Sequence, residues 1–208
     1  MTRKKADVTA CEHSIAECSH AERSEMIKKK GNKIMIVIKN KRCKRENILK
    51  EYPDAIIFDV TSKGAMKQMS PFYPHGHIPV PGMEGVFSAS VEGIWQGLKV
   101  FEGEGIDHTR FANKTMLNLK RTCRTHGRCL GHMYNGELME YIEARKIIYI
   151  PSYYYMLEHY CVKSIETIKK LSAEHTVVLL DYDTNEDVNE WKKPMSHAGL
   201  IKRYVMEH

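Results

Sequence analysis

The sequence predicts an α+β domain with a small mixed sheet and a helix-rich second half. Two short apolar runs rich in β-branched residues, 34–38 and 55–60, flank a helical pattern over residues 44–51. A third such run, 176–181, follows several further helical patterns. A strand–helix–strand unit of this length fits a parallel or mixed sheet that carries the helix on one face.

Residues 1–31 are expected to form a basic N-terminal extension, with a short helix over 14–30, and residues 32–208 a single domain. The extension has few large apolar side chains, and its first residues lack the apolar region of a secretory signal. No apolar run approaches the roughly 20 residues that cross a bilayer. Together with six cysteines, these features predict a cytoplasmic protein with reduced thiols and no membrane partner. They leave the oligomeric state open.

The net charge of +6 is unevenly distributed. The first 50 residues hold 14 Lys and Arg against 6 Asp and Glu, a net charge of +8. Residues 110–128 contain several basic side chains and no acid. Such segments suit phosphate-bearing partners, although a solvated surface and a flexible tail would have the same composition. For a nucleic acid or nucleotide substrate, the predicted phosphate-binding residues are Lys114, Lys120, Arg121 and Arg124.

The middle of the chain combines a proline-rich loop with helical patterns. The loop, residues 70–81, contains four prolines between 71 and 81 together with aromatic side chains, and such loops often carry function. The strand over 176–181 leads into an acidic cluster, residues 181–187. Helices are predicted over residues 90–101, 113–123, 136–149, 153–170 and 194–206.

The helix predicted over residues 90–101 places polar groups beside an apolar stripe. Glu92, Gln96 and Lys99 recur at spacings of four and three, so they share one narrow band at the margin of the core. Ser88 or Ser90 can cap this helix, and Glu92 then lies in its first turn. The band is either a cleft wall or an intrahelical Glu–Lys arrangement. The apolar stripe itself consists of Val91, Ile94, Trp95, Leu98 and Phe101.

This segment resembles the signature helix of the NADAR superfamily, whose typical form is Ser-Glu-His-x-x-Gln-Ala-x-Lys-Phe. Glu92, Gln96 and Lys99 occur at the family's spacing, while Gly93 stands where the family usually has histidine. The preceding stretch from Ser70 to Pro74 is similar to the family's Ser-Asn-Phe-Tyr-Pro.

Later parts of the chain extend the resemblance in the same order, so that it covers roughly residues 55–206. Residues 136–146 are similar to the family's middle helix, and 178–187 to its strand with an acidic turn. Residues 196–203 are similar to its closing helix. The Trp-Gly pair that usually follows the acidic turn is absent, and Trp191 is the nearest substitute.

The resemblance implies a cofactor-independent N-glycosidase, because NADAR proteins are implicated in cleaving N-glycosidic bonds of riboflavin-pathway intermediates and ADP-ribosylated guanine. Glu92 is the first choice for the carboxylate at the anomeric carbon, and Asp187 or Asp183 the second. Lys99 would orient Glu92 or neutralise charge on a phosphate or leaving group. The remaining residues implied to bind substrate are Ser70, the stacking aromatics Phe72, Tyr73 and Trp95, His75, and Gln96 as a reader of the base edge.

The predicted substrate is a modified or damaged base in DNA or RNA, because a basic surface gains affinity from phosphate contacts. Two alternatives stay open: hydrolysis of ADP-ribosyl groups or free nucleotides, and non-catalytic binding in defence or counter-defence. Cys123, His126, Cys129 and His132 recur in steps of three. That spacing does not match the two-pair layout of zinc sites, so no metal is predicted.

Overall fold

The computed structural model describes residues 34–208, so the predicted N-terminal helix over 14–30 lies outside the described residues. Residues Ile34–His208 form one compact unit. The elements in chain order are β1 (Ile36–Asn40), α1 (Arg45–Glu51), β2 (Ile56–Asp59), β3 (Ile78–Pro79), β4 (Phe87–Ser88), α2 (Val91–Gly97), β5 (Lys99–Phe101), α3 (Cys123–His126), β6 (Cys129–Tyr134), β7 (Glu137–Met139), α4 (Tyr141–Ala144), α5 (Ile150–Tyr160), α6 (Val162–Glu174), β8 (Val177–Asp181) and α7 (His197–Glu207).

The central sheet contains the three apolar runs that the sequence identifies as strands. Its order is β1-β8-β2, and both outer strands run parallel to β8. Val177 lies opposite both Ile36 and Ile56, so the last strand of the chain inserts between the first two. Because β8 is covered on both faces, its sequence is a continuous apolar run and not an alternating one. The α+β class is confirmed, with the strands divided among three small sheets.

The antiparallel strands β5, β6 and β7 form a second sheet, which replaces the first part of the helix predicted over residues 136–149. Asn135 and Gly136 both have positive φ, 50° and 81°, at the tight turn between β6 and β7. An Asn-Gly pair favours this hairpin turn, since both central residues need a left-handed backbone. The helix begins only at Tyr141, and β3 and β4 form a separate two-stranded sheet.

The helix predicted over residues 113–123 is wrong. The Asn113 side chain accepts a hydrogen bond from the backbone N–H of Thr115 (2.9 Å), which gives the chain a local alternative to helical bonding. Met116 and Asn118 then adopt φ values of 61° and 54°, which an α-helix does not contain. Helical structure is confined to the single turn α3, and the segment crosses the surface as turns.

Helices α6 and α7 pack on one face of the central sheet and α5 packs against both of them, which confirms the helices predicted near the end of the chain. Their buried side chains join those of α2 in one apolar core that includes Ile94, Tyr153, Ile168 and Leu200. The chain from Tyr141 to Tyr160 is continuously helical, with a π-helical segment at Arg145–Tyr149 between α4 and α5. No helix among the described residues is long and apolar enough to cross a membrane.

Candidate functional site

A cavity of about 550 Å³ lies at the carboxyl ends of strands β2 and β8. Thr61 and Ser62 come shortly after β2. At the same edge of the sheet, Asp181 is the last residue of β8 and Asp183 follows it. Helix α2, strand β5 and the π-helical segment supply the other walls. Ligands of open α/β sheets bind outside the carboxyl ends of parallel strands, so the cavity occupies the expected position for a binding site.

Helix α2 places Glu92 at the cavity. The Ser90 side chain caps the helix by accepting from the Gly93 N–H (3.0 Å), as the sequence predicts for Ser88 or Ser90. The Glu92 N–H donates to the carbonyl of Pro71 (2.8 Å), which ties the proline-rich loop to the helix. The Glu92 residue is 6% exposed. A carboxylate this buried is costly unless it is hydrogen-bonded or serves a function.

Gln96 orients Glu92 and does not present a free amide to the cavity. The Gln96 Oε1 accepts from the backbone N–H of Arg121 (2.8 Å), so its Nε2 must point the other way and donate to Glu92 Oε1 (2.7 Å). Because a backbone N–H is only a donor, this orientation of the amide is unambiguous. The paired contacts to a base edge that the resemblance implies for Gln96 are therefore not supported.

The charge state of Glu92 reflects two opposing influences. Burial raises the pKa of the Glu92 carboxyl, while the Gln96 hydrogen bond and the charges of Lys120, Lys99 and His197 partly offset that rise. The outcome is a pKa above its usual range. A carboxyl tuned in this direction exchanges protons more readily near neutral pH than an exposed glutamate does.

Lys99 lies on strand β5, since helix α2 ends at Gly97. The predicted helical band therefore breaks before Lys99, yet the side chain still reaches the same cavity from the neighbouring wall. The Lys99 Nζ donates to the Arg121 carbonyl (3.3 Å). Burial lowers the pKa of the Lys99 amine, and the nearby Glu92 carboxylate opposes that shift.

Arg121 lines the cavity but uses its guanidinium within the protein. The side chain is 3% exposed and packs over the Phe101 ring, with Cζ 4.8 Å from the centroid. Its donors satisfy the carbonyls of Gln96, Lys99 and Gly105 and the Glu104 carboxylate. The predicted phosphate-binding role is thus not supported for Arg121, which braces helix α2 against strand β5.

An aromatic wall lies beside Glu92 in the cavity lining. Trp95 stacks on His132 with centroids 3.7 Å apart and makes edge-to-face contacts with Tyr141 and Tyr149. Elsewhere in the lining, Lys120 lies over the Phe72 ring, 5.7 Å from its centroid. Trp95 therefore belongs both to the edge of the core and to the cavity lining.

Sequence reasoning missed the ion pair of Asp181 and His197. The His197 Nδ1 lies 2.9 Å from Asp181 Oδ2, and its Nε2 lies 2.9 Å from the Val60 carbonyl. Burial disfavours both charges. The hydrogen bond and charge of each partner outweigh it, so the pKa of Asp181 falls and that of His197 rises. Both ring nitrogens face acceptors, as a protonated imidazole requires.

Sequence reasoning also missed Arg145, which lies in the π-helical segment and is 1% exposed. Its guanidinium packs over the Tyr141 ring and holds the loop after β8 in place. A π-helical segment is rare and often marks a functional site, but nothing in the local sequence announces it. The atoms that accept from Arg145 are the carbonyls of Asp187, Val188, Glu190 and Lys193 and the Tyr141 hydroxyl.

Comparison with known proteins shows a match to a family of unknown function (DUF6939), whose model covers residues 40–201. The chain belongs to this family. No curated protein and no solved structure matches it. All residues that line the cavity, from Thr61 to His197, fall within the matched region. The cavity is therefore part of the DUF6939 domain.

The cavity contains some of the site residues that the sequence predicts, and the others lie outside it. Ser70, Phe72, Trp95, Lys120 and Asp183 line the cavity together with Glu92, Gln96, Lys99 and Arg121. Five predicted residues do not line it: Tyr73, His75, Lys114, Arg124 and Asp187.

Two of the residues outside the cavity have other partners. The His75 Nε2 lies 2.7 Å from the Gln68 carbonyl, and burial lowers the pKa of this imidazole. The Asp187 carboxylate accepts from the Asn189 N–H (2.8 Å) on an exposed turn. The expectation that Asp187 supplies a catalytic carboxylate is therefore not supported by its position, whereas Asp183 faces the cavity.

The four repeating Cys and His side chains do not meet at a single point. Cys123 and Cys129 line the cavity, His126 pairs with Glu104, and His132 lies beneath Trp95. Across residues 34–208, no group of three or more Cys, His, Asp or Glu side chains is arranged to hold a metal ion. A second and weaker Cys-His set, for which no metal is predicted either, lies outside the described residues: Cys11, His13, Cys18 and His20.

Proposed function

We propose that the protein is an N-glycoside hydrolase that cleaves the bond between a nucleobase and a sugar. The observation that carries the proposal is Glu92, a buried carboxylate that Gln96 orients within a cavity walled by Trp95 and Tyr149. The cavity volume of about 550 Å³ lies within the range of small-molecule sites. The spacing of Glu92, Gln96 and Lys99 is also that of the NADAR signature helix.

The proposed reaction consumes one water. The C1–N bond breaks and its electron pair leaves with the base nitrogen, which generates an oxocarbenium-like sugar that the Glu92 carboxylate stabilises. Glu92 then takes a proton from the water that forms the new C1–O bond. The departing nitrogen receives a proton from Asp183, whose pKa is raised by burial and by the charge of Asp181.

Lys99 assists Glu92 from the adjoining wall. Its amine lies close enough to Glu92 for the two to interact electrostatically, and each shifts the pKa of the other toward the charged state. A positive charge there keeps part of the Glu92 population ionised despite its burial. The aromatic wall offers the stacking surface that a nucleobase requires.

The distribution of cations favours a free nucleotide or ADP-ribosyl group as the substrate. Three arginines of the acid-free segment 110–128 form ion pairs with acids outside it. The pairs are Arg110–Asp107, Arg121–Glu104 and Arg128–Glu102. Among the predicted phosphate-binding residues, Lys120 is the exposed cation that lines the cavity.

A modified base in DNA or RNA is the second candidate. The +8 charge of the first 50 residues supports it, because phosphate contacts add affinity for a polymer. A polymer substrate would require extrusion of the target base into the cavity.

Mass spectrometry of candidate substrates after incubation with the protein tests the proposal. The substrates are free nucleotides, ADP-ribosylated bases, and plain and damaged DNA and RNA. We expect a released free base, and Glu92→Gln should reduce its rate of release by about 10²–10⁴-fold, the usual contribution of a general base. Glu46→Gln makes the same chemical change on the exposed surface of α1 and should retain full activity.

Two results would contradict the proposal. One is the absence of base release from every pool at high protein concentration. The other is equal activity of Glu92→Gln and the unsubstituted protein, because a binding protein does not need the ionised carboxylate. Ligand-induced stabilisation without turnover would favour the non-catalytic alternative.

A further inference from the structure

Two thiols lie on the wall of the cavity beside Lys99. Cys123 begins α3 and is exposed, while Cys129 begins β6 and is half-buried. Both line the cavity, and both lie near enough to the Lys99 amine to interact with it electrostatically. The thiolate is the nucleophilic form of cysteine.

The turn between these cysteines is tied at both ends to residues 99–102, which are strand β5 and the residue after it. Before the turn, the Arg121 carbonyl accepts from Lys99 Nζ. After it, the Glu102 N–H donates to the Arg128 carbonyl (3.0 Å), and Cys129 lies opposite Phe101 in the sheet. Both ends of the turn therefore contact the same four residues, 99–102, and both thiols lie on the wall of the same cavity.

The backbone between the thiols is short and strongly curved. The Gly127 N–H donates to the Cys123 carbonyl (3.1 Å), which closes one helical turn. Gly127 then reverses the chain with φ of 82°, a conformation that other residues rarely adopt. Residues 123–125 and 127–128 are exposed, so the turn is open to small reagents and has room to adjust.

We propose that Cys123 and Cys129 form a redox-active pair that closes into a disulfide at the cavity wall. The co-reactant is hydrogen peroxide. The Cys123 thiolate attacks one peroxide oxygen, the O–O bond breaks, and the other oxygen leaves as water after protonation. The Cys129 sulfur then attacks the sulfenic sulfur of Cys123 and expels a second water. Two thiols are oxidised and one peroxide is reduced.

The assignment follows the pattern of redox-sensor cysteines, in which an accessible thiol lies next to a resolving one. Cys123 is the exposed member and Cys129 the half-buried member. Cys161 contrasts with both, because burial raises the pKa of its thiol to about 12 and leaves it protonated. Cys43 is half-buried just before α1 and does not line the cavity. The proposal does not rest on the hydrolase activity.

Peptide mapping by mass spectrometry after a stoichiometric dose of hydrogen peroxide tests the pair. The full chain carries Cys11→Ser and Cys18→Ser, so that the remaining thiols are those of Cys43, Cys123, Cys129 and Cys161. We expect loss of two titratable thiols, a linked peptide pair that contains Cys123 and Cys129, and recovery of both thiols with dithiothreitol.

Single variants give the controls. Cys129→Ser should leave Cys123 to accumulate as sulfenic acid, which a dimedone probe labels, while Cys43→Ser should still form the linked pair. Independent oxidation of Cys123 without a linked peptide would overturn the proposal. A disulfide that joins Cys43 or Cys161 to Cys123 or Cys129 would also overturn it. So would free Cys123 and Cys129 thiols after a stoichiometric dose of hydrogen peroxide.

Discussion

Gln96 illustrates how a single residue changes its role once its partners are known. Its spacing from Glu92 and Lys99 fits a polar band, and a free amide in a cleft reads hydrogen-bonding edges. The backbone N–H of Arg121 occupies its oxygen, so the amide serves to orient Glu92. The role of a polar side chain in this cavity therefore depends on which of its hydrogen-bonding atoms the protein itself already occupies.

The ionisation of Glu92 predicts the pH dependence of base release. If Glu92 acts as the ionised base, kcat/KM should fall on the acid side through a pKa above the usual 4.5, because burial raises it. Lys120→Met removes a charge that favours the carboxylate, so this acid limb should move to higher pH. We expect kcat/KM in the limb to fall by about threefold, the effect of one charge in a mainly aqueous setting.

Lys114→Met is the matched control for that experiment, because Lys114 is exposed and does not line the cavity. It should leave the pH profile unchanged. A limb that moves to lower pH in Lys120→Met would contradict the assignment of Glu92 as the titrating base.

His132 predicts a loss of stability in acid. It is 1% exposed, neither ring nitrogen has a partner among the described residues, and burial lowers its pKa to about 3. The unfolded chain takes up the proton near the usual 6.5 and the folded chain does not, so stability falls as the pH drops between these values. His132→Phe should remove this loss, about 2 kcal/mol near pH 5, while keeping the stack on Trp95.

Urea unfolding across this pH range measures the effect. His159 also stacks on a neighbour, with its ring 3.8 Å from that of Tyr155, but it is exposed. His159→Phe should therefore leave the pH dependence of unfolding intact. Equal acid sensitivity of His132→Phe and the unsubstituted protein would show that His132 is solvated or paired in solution.

Among the elements, helix α2 was predicted correctly at its start but not at its end. The apolar stripe and the serine cap identify the helix, but the predicted end at residue 101 extends into strand β5. Gly97 and Leu98 end the helix, and the next residues pair with β6. The short run 99–101 satisfies both helical and strand patterns, so only its sheet partner decides between them.

The packing of α2 predicts the cost of a side chain at Gly93. A Cβ there would meet the Arg110 carbonyl at 2.7 Å and the Ser88 hydroxyl at 2.8 Å. The first contact is with backbone, which cannot rotate away. Gly93→Ala should therefore destabilise the protein by about 1–3 kcal/mol, as overpacking does. The larger histidine that NADAR helices usually carry would need a different arrangement of the chain around residue 110.

Gly105→Ala provides the control, because a Cβ at Gly105 would meet nothing within 4 Å. Chemical denaturation should show little change for that variant. If the two alanine variants were equally stable, the close approach of Arg110 to α2 would be incorrect.

Over the whole molecule, Asp181 and His197 connect three elements that are far apart in sequence. The pair joins the end of β8 to the start of α7, and His197 also binds the Val60 carbonyl beyond β2. Ser196 adds a hydrogen bond to Asp181 (2.8 Å). One buried cluster thus connects the carboxyl edge of the sheet to the last helix.

This cluster predicts a window of maximal stability. The contribution of His197 is complete below its usual pKa of 6.5 and is lost as the pH rises through its higher folded-state pKa. The contribution of Asp181 is complete above its usual 3.8 and is lost as the pH falls through its lower folded-state pKa. The pair therefore stabilises most between 3.8 and 6.5.

His197→Asn should cost about 3–5 kcal/mol within that window, because it leaves a buried carboxylate without its cation. The double variant with Asp181→Asn should lose less than the sum of the two single variants. The exposed pair Arg203–Glu207 is the control, and Arg203→Gln should cost less than about 1 kcal/mol. Additive losses at positions 181 and 197 would show that the two side chains do not interact.

Local sequence by itself determined the α+β class, the three apolar strands of the central sheet, and helix α2 with Glu92 beside its apolar stripe. These follow from periodicity and capping, which act over a few residues. The Asn-Gly hairpin turn at 135–136 was equally local and was available from the sequence, although the prediction missed it.

Only the tertiary structure decided the insertion of β8 between β1 and β2 and the cluster of Asp181 with His197. It also decided that Arg121 and Arg145 donate to backbone carbonyls. Their partners lie far along the chain, 137 residues from Val60 to His197 and 45 from Arg145 to Glu190. Whether a buried polar group faces a substrate or satisfies the protein's own backbone depends on these distant partners, because folding alone brings them within hydrogen-bonding distance.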